Sequence, residues 1–147
     1  MRWSPRVTVA TILEKDNKFL MVEEIIKGKT FFNQPAGHWE NNESLEEAAV
    51  RETLEETAWS FKPTELVGIY RWTHPELDDT YLRFTFTGVI GEYFPDRELD
   101  EGIVNAHWMS YNEIEACMDQ HRSPQVLLCI QDYIQGKRYS LDCIRNI

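Results

Sequence analysis

Three glutamates, Glu52, Glu55 and Glu56, stand together in a segment of helical character. At about 100° per residue they lie near 0°, 300° and 40°, so they share one helix face. Like charges four residues apart weaken a helix mildly, and such a face calls for a positive partner. A hard divalent cation, Mg²⁺ or Mn²⁺, suits carboxylate, carbonyl and water oxygens. Mg²⁺ keeps several waters and takes few carboxylates together with phosphate oxygens, which points to phosphate-ester or pyrophosphate chemistry. Three glutamates alone describe a solvated acidic face. Their surroundings decide otherwise: Gly37 is followed by five residues and Glu43, then by seven residues and Arg51-Glu52, and two residues on by Glu55-Glu56.

The elements that must position these groups are legible in outline. Val7 to Leu13 is β-branched and partly alternating and reads as a strand, with a turn at Lys15-Asp16-Asn17 and a returning strand from Lys18 to Glu24. Lys27-Gly28-Lys29 is a basic turn, and Phe31 to Gln34 a short strand stopped by Pro35 and Gly37. Ser44-Leu45-Glu46-Glu47 is a capping box that opens a helix over about 45–58, with Leu45, Ala48 and Ala49 as its apolar stripe. Leu66–Thr73 and Tyr81–Ile90 read as strands, joined by a loop at His74–Asp79. A strongly acidic loop, Phe94–Gly102, precedes a strand from Ile103 to Met109, and helices follow over Tyr111–Met118 and Pro124–Ile134. Strands, a central helix, more strands and terminal helices make a mixed α/β sandwich.

The length, 147 residues, suits one domain over 1–147, and no repeat or linker divides it. With 15 basic and 25 acidic side chains the net charge is −10, which argues against nucleic acid or an anionic membrane as partner. An acidic chain still binds phosphates when a cation mediates. No stretch approaches the ~20 apolar residues of a membrane span or the pattern of a signal peptide. Cys117, Cys129 and Cys143 have no metal-ligand spacing and read as reduced thiols, so a cytoplasmic location is expected. Cys117 and His121 lie four apart without further ligands.

Gly37-His38-Trp39-Glu40-Asn41-Asn42-Glu43 followed by Arg51-Glu52-Thr53-Leu54-Glu55-Glu56-Thr57-Ala58-Trp59 resembles the Nudix box, G-x5-E-x7-R-E-U-x-E-E-x-G-U, with U a bulky aliphatic residue. Every charged or glycine position from Gly37 to Glu56 matches. Thr53 stands at an aliphatic position, Ala58 replaces the second glycine and Trp59 is bulky but aromatic. Asn33–His38, Leu82-Arg83-Phe84, Arg122-Ser123-Pro124 and Tyr133–Tyr139 extend the likeness to a bacterial phosphatase subgroup of the same family.

The resemblance implies an α/β/α sandwich around a mixed β-sheet and hydrolysis of phosphoanhydride bonds. The substrates implied are nucleoside tri- and diphosphates, with the pyrimidine diphosphate precursor of thiamine as a further candidate. ADP-ribose or dinucleoside polyphosphate hydrolysis, and a non-hydrolysing nucleotide sensor of the same fold, are the alternatives. It places Mg²⁺, or Mn²⁺, on Glu52, Glu55, Glu56 and the Gly37 carbonyl, and pairs Arg51 with Glu43. The general base is Glu52 or a loop acid, Glu101 first, with Glu98 and Asp100 as alternatives. Phe31, Phe32, Trp72, Tyr81 and Phe84 are candidates to stack on a base; Arg6, Lys27, Lys29, Arg71 and Arg83 are candidates to reach phosphates. Phe31, Trp72, Arg71 and Arg83 lead as substrate-binding residues. The expected partner is a small phosphoanhydride, bound by a monomer or homodimer.

Overall fold

A computed structural model describes residues 2–147. The chain runs β1 (Arg6–Ile12), β2 (Glu14–Lys15), β3 (Lys18–Ile26), β4 (Lys29–Asn33), β5 (Ala36–His38), α1 (Leu45–Thr57), β6 (Trp59–Thr73), β7 (Thr80–Tyr93), β8 (Ile103–Ser110), α2 (Tyr111–Ala116), α3 (Gln125–Ile134) and β9 (Tyr139–Ser140), with 3₁₀ turns at Met118–Gln120 and Leu141–Cys143. One sheet has the order β5-β1-β7-β6-β9. It is mixed, because β1 and β7 are parallel while the other pairs are antiparallel. In the second sheet β3 pairs with β2, β4 and β8.

Alternation along β1 and β7 divides the core between two helices. Val9 and Phe86 pack with Leu66 against Ala48 and Ala49 of α1. Ile12 and Val67 pack with Val126, Cys129 and Ile130 of α3. The five-stranded sheet is thus sandwiched between helices, and all of these side chains are at most 1% exposed.

Helix α1 starts as its capping box requires. The Ser44 hydroxyl accepts from the Glu47 amide at 3.0 Å and the Glu47 carboxylate accepts from the Ser44 amide at 2.8 Å. It ends at Ala58, which adopts φ 64°. This is the left-handed C-cap that glycine fills without strain and that costs alanine about 1 kcal/mol or more. Ala58 keeps the cap hydrogen bond from its amide to the Leu54 carbonyl. Thr53, at the aliphatic position, is buried; its hydroxyl donates to the Ala49 carbonyl at 2.8 Å and lies 2.9 Å from the Thr11 hydroxyl on β1. A buried hydroxyl is tolerated there because both of its hydrogen-bonding needs are met.

The structure corrects the sequence reading at four elements. Strand β4 stops at Asn33, ahead of Pro35, but Gly37 lies inside a further strand, β5, which pairs with β1 at Ala10, Val9 and Thr8. Strand β6 begins at Trp59 rather than Leu66, and its irregular register between Trp59 and Gly68 hides the alternation. The helix after Ser110 stops at Ala116 instead of Met118, and the chain tightens into a 3₁₀ turn. Strand β9 is a two-residue pairing with Glu65 and Leu66, too short to leave a periodic signal.

Candidate active site

Helix α1 lies against β5, and the box residues gather at that contact. Arg51 organises them. Its guanidinium holds Glu43 in a two-pronged pair, Nε to Oε2 at 3.0 Å and Nη2 to Oε1 at 2.8 Å. Nη1 reaches Glu52 Oε1 at 2.7 Å and Glu55 Oε1 at 3.3 Å, and Nη2 donates to the His38 carbonyl at 3.1 Å. One planar fork therefore ties the loop, β5 and two carboxylates of α1 together, which a lysine point charge would not do. The same pairing holds the Glu43 carboxyl below its usual range.

Gly37 faces Glu52 with no room for a side chain. A Cβ built there would lie 2.2 Å from the Glu52 carboxyl carbon. The need for glycine here is steric; its φ is not in the left-handed region. Burial pushes the Glu52 carboxyl up to about 6, against the lowering effect of Arg51. Glu56 goes deeper. Its Oε1 accepts from the Ala36 amide at 2.9 Å, and burial pushes its carboxyl up to about 9. Glu52, Glu24 and Asp100 add to this by like-charge repulsion.

Asp100 completes the group. The acidic loop is fastened to the helix end by a hydrogen bond from the Asp100 amide to the Glu55 carbonyl at 3.0 Å. One carboxylate oxygen from each of Glu52, Glu55 and Asp100 lies within 4.8 Å of the others. Burial, then Glu55, raises the Asp100 carboxyl. Of the three loop acids weighed from sequence, all of them exposed, Asp100 is the one whose carboxylate joins this cluster among the described residues. Crowded carboxylates, a glycine cradle and a fixed arginine are a donor set for a hard divalent cation, whose charge would offset their mutual repulsion.

Strand register sorts the substrate candidates. Tyr81 and Arg83 on β7 pair with Trp72 and Tyr70 on β6 and with Arg6 and Thr8 on β1, so all six point to the face of the sheet away from α1. Arg71, one residue along from Trp72, points to the opposite face, where Leu82 is its neighbour. Arg83 is 4% exposed, and its Nη2 donates to Asn33 Oδ1 at 3.2 Å and to Gln34 Oε1. Its Nε is buried without a hydrogen-bond partner among the described residues. Phe31 and Glu24 are register partners on β4 and β3. The Glu24 carboxylate accepts from Arg122 Nη1 at 3.0 Å. Sequence reasoning assigned no role to Glu24, Asn33 or Gln34, because isolated polar residues on short strands carry no spacing.

The profile of the NUDIX domain matches residues 3–128. Over 142 residues the chain is 40% identical to "Phosphatase NudJ" of Escherichia coli (strain K12), an alignment that covers 97% of this chain and 92% of that protein. A NUDIX hydrolase from Nitrosomonas europaea shares the structure with a TM-score of 0.95 and 52% identity, over 98% of both chains. A MutT protein from Methanosarcina mazei Go1, 19% identical, has the same fold with a TM-score of 0.73 over 93% of this chain and 99% of its own. With the box residues assembled around one arginine and one glycine cradle, this chain belongs to the Nudix hydrolase family.

Proposed function

We propose that residues 1–147 act as a single Mg²⁺-dependent domain that hydrolyses phosphoanhydride bonds of nucleoside tri- and diphosphates with low specificity, and also hydroxymethylpyrimidine diphosphate. The observation that carries this is the convergence of Glu52, Glu55 and Asp100 beside Gly37 and the half-buried Glu56. The likeness to a protein named phosphatase supports release of inorganic phosphate. Three free thiols, Cys117, Cys129 and Cys143, fit a cytoplasmic setting.

Glu52, Glu55 and Glu56, with the Gly37 carbonyl, would hold Mg²⁺; Mn²⁺ has the same oxygen preference. The bound ion supplies charge neutralisation of the diphosphate and a polarised water. Arg51 keeps Glu52 and Glu55 from splaying and never needs to touch substrate. Arg83 offers a guanidinium from the cleft floor to a phosphate oxygen, with Asn33 and Gln34 fixing its plane. Proton removal from the attacking water falls to Glu52 or Asp100 rather than Glu101, because those two share the cluster. Asp100→Asn is therefore expected to lower kcat about a hundredfold and Glu101→Gln by less than threefold, on the scale of general-base loss. Steady-state kinetics on both variants checks this.

A thermal prediction follows from the raised carboxyls. Glu52 and Glu56 have folded values above the ordinary 4.5. A group raised on folding stabilises most below its unfolded value and loses that contribution as pH rises toward its folded value. The Tm of the metal-free protein should thus fall between about pH 5 and pH 9, and millimolar Mg²⁺ should raise it by several degrees more at pH 8.5 than at pH 5.5. Differential scanning fluorimetry with EDTA and with Mg²⁺ measures both.

Function is tested by following phosphate and pyrophosphate in parallel from nucleoside triphosphates, diphosphates, ADP-ribose, a dinucleoside polyphosphate and hydroxymethylpyrimidine diphosphate. Metal-dependent phosphate release from several nucleotides supports the proposal. Turnover of ADP-ribose alone would replace the substrate class, and nucleotide binding without turnover would make the protein a sensor.

A further inference from the structure

A groove of about 670 Å³ lies between the β6–β7 loop and α3. Its walls are Trp72, His74, Met118, His121, Pro124 and Leu127. We infer that this groove seats the ring of the nucleotide, while the phosphates lie in the cleft beneath Glu52 and Arg83; the inference rests on the function proposed above.

Four observations carry it. First, the groove adjoins the strands that carry Arg83 and Glu24. Trp72 shares its sheet face with Arg83 and Arg6, and Arg122 lines the groove while its Nη1 binds Glu24 at 3.0 Å. Arg122 is held in place from behind, since its amide donates to the Phe32 carbonyl at 3.0 Å.

Second, the groove offers a flat aromatic wall. Trp72 is half-buried and braced by Tyr81, stacked at 5.9 Å with 30° between the planes. A braced indole presents a surface to a heterocycle at little entropic cost.

Third, the polar groups at its edge have fixed, opposite hydrogen-bonding roles. His121 Nε2 lies 2.8 Å from the Ile114 carbonyl, which only accepts, so that nitrogen is the donor and Nδ1 of that tautomer is an acceptor. His74 Nδ1 accepts from the amides of Glu76 and Leu77 at 3.1 and 3.3 Å, which leaves Nε2–H as a donor. One ring acceptor and one ring donor beside Trp72, Met118, Pro124 and Leu127, with Glu76, Arg122, Ser123 and Gln131 also in the lining, suit the amide edge of a nucleobase better than a lipid or an aliphatic acid.

Fourth, the size fits. The volume lies within the range that holds a small organic ligand.

The test uses the full chain, UTP as nucleotide and inorganic tripolyphosphate as the probe without a base. Trp72→Leu is expected to raise KM for UTP about tenfold, the scale of one base–aromatic stack, with kcat changed less than threefold. Met118→Trp fills the groove from a side chain that is 57% exposed, so the fold is undisturbed, and it should raise KM similarly. In ¹H–¹⁵N spectra recorded in Ca²⁺, the Trp72 indole signal should move with UTP and stay in place with tripolyphosphate. An indole signal that ignores UTP, or moves equally with both probes, overturns the inference. So does a KM that responds to Phe31→Leu alone, which would place the ring in the cleft between the sheets. If the wild-type protein hydrolyses no phosphoanhydride, the proposed function fails, while the indole signal still reports on the groove.

Discussion

Glu56→Gln is expected to abolish turnover and stabilise the metal-free protein at the same time. The side chain is half-buried at the site, and its carboxylate accepts from the Ala36 amide at 2.9 Å. Gln presents the same carbonyl oxygen to that amide without a charge to bury. Removing a carboxyl that burial pushes up to about 9 relieves the folded state at every pH above the ordinary carboxylate range. A rise in metal-free Tm of about 3–6 °C at pH 8 follows for one to two kcal/mol in a chain of this size. The same substitution takes a negative oxygen from the cation site, and kcat should fall about a thousandfold, or ~4 kcal/mol. Opposite movements of stability and activity are what a functional carboxylate predicts; a purely structural one would move both downward. Fluorimetry in EDTA and phosphate release in Mg²⁺ give the two readings on one sample.

Gly37→Ala is expected to be nearly as severe for activity by a different route. The added Cβ would meet the Glu52 carboxyl carbon at 2.2 Å and its oxygens at 2.3 and 2.4 Å, so the carboxylate must leave its place. Glu52 is also bonded to Arg51 Nη1 at 2.7 Å, and moving it disturbs the fork that holds Glu43 and Glu55. Displacement of about 1 Å at a reacting site costs on the order of a hundredfold in rate, and overpacking costs roughly 1–3 kcal/mol of stability. The distinguishing readout is Mg²⁺-induced stabilisation: it should shrink in Gly37→Ala, whereas the circular dichroism spectrum should remain that of the wild type.

What the sequence discloses and what it withholds divides along local and tertiary lines. The start of α1 is local chemistry: Ser44 and Glu47 cap each other whatever lies around them. The shared face of Glu52, Glu55 and Glu56 follows from helix geometry alone. The pairing of Arg51 with Glu43, implied by the family pattern, is present. The acidic loop is different. Asp96, Glu98, Asp100 and Glu101 have no period, and the one that reaches the helix is chosen by a backbone hydrogen bond to Glu55 and the turn back to Ile103. Arg71 and Arg83 are alike in type and local setting, yet they fall on opposite faces because of strand register, which no window of sequence contains. Strand β6 was half visible because its bulges break alternation ahead of Leu66. Ala58 shows the converse: the box pattern marks a glycine position, and the structure places alanine there at φ 64°.

The most direct measurement is the rate of phosphate release from UTP by the wild-type protein and by Glu55→Gln, each in Mg²⁺ and in excess EDTA. Glu55 belongs to the carboxylate cluster and lies 3.3 Å from Arg51, and the conservative change removes charge without removing volume. Wild-type turnover that disappears in EDTA, returns with Mg²⁺ and falls about a thousandfold in Glu55→Gln is the predicted result. Turnover that survives EDTA, or a Glu55→Gln protein as active as the wild type, would contradict the assignment of this cluster as the metal centre of a hydrolase.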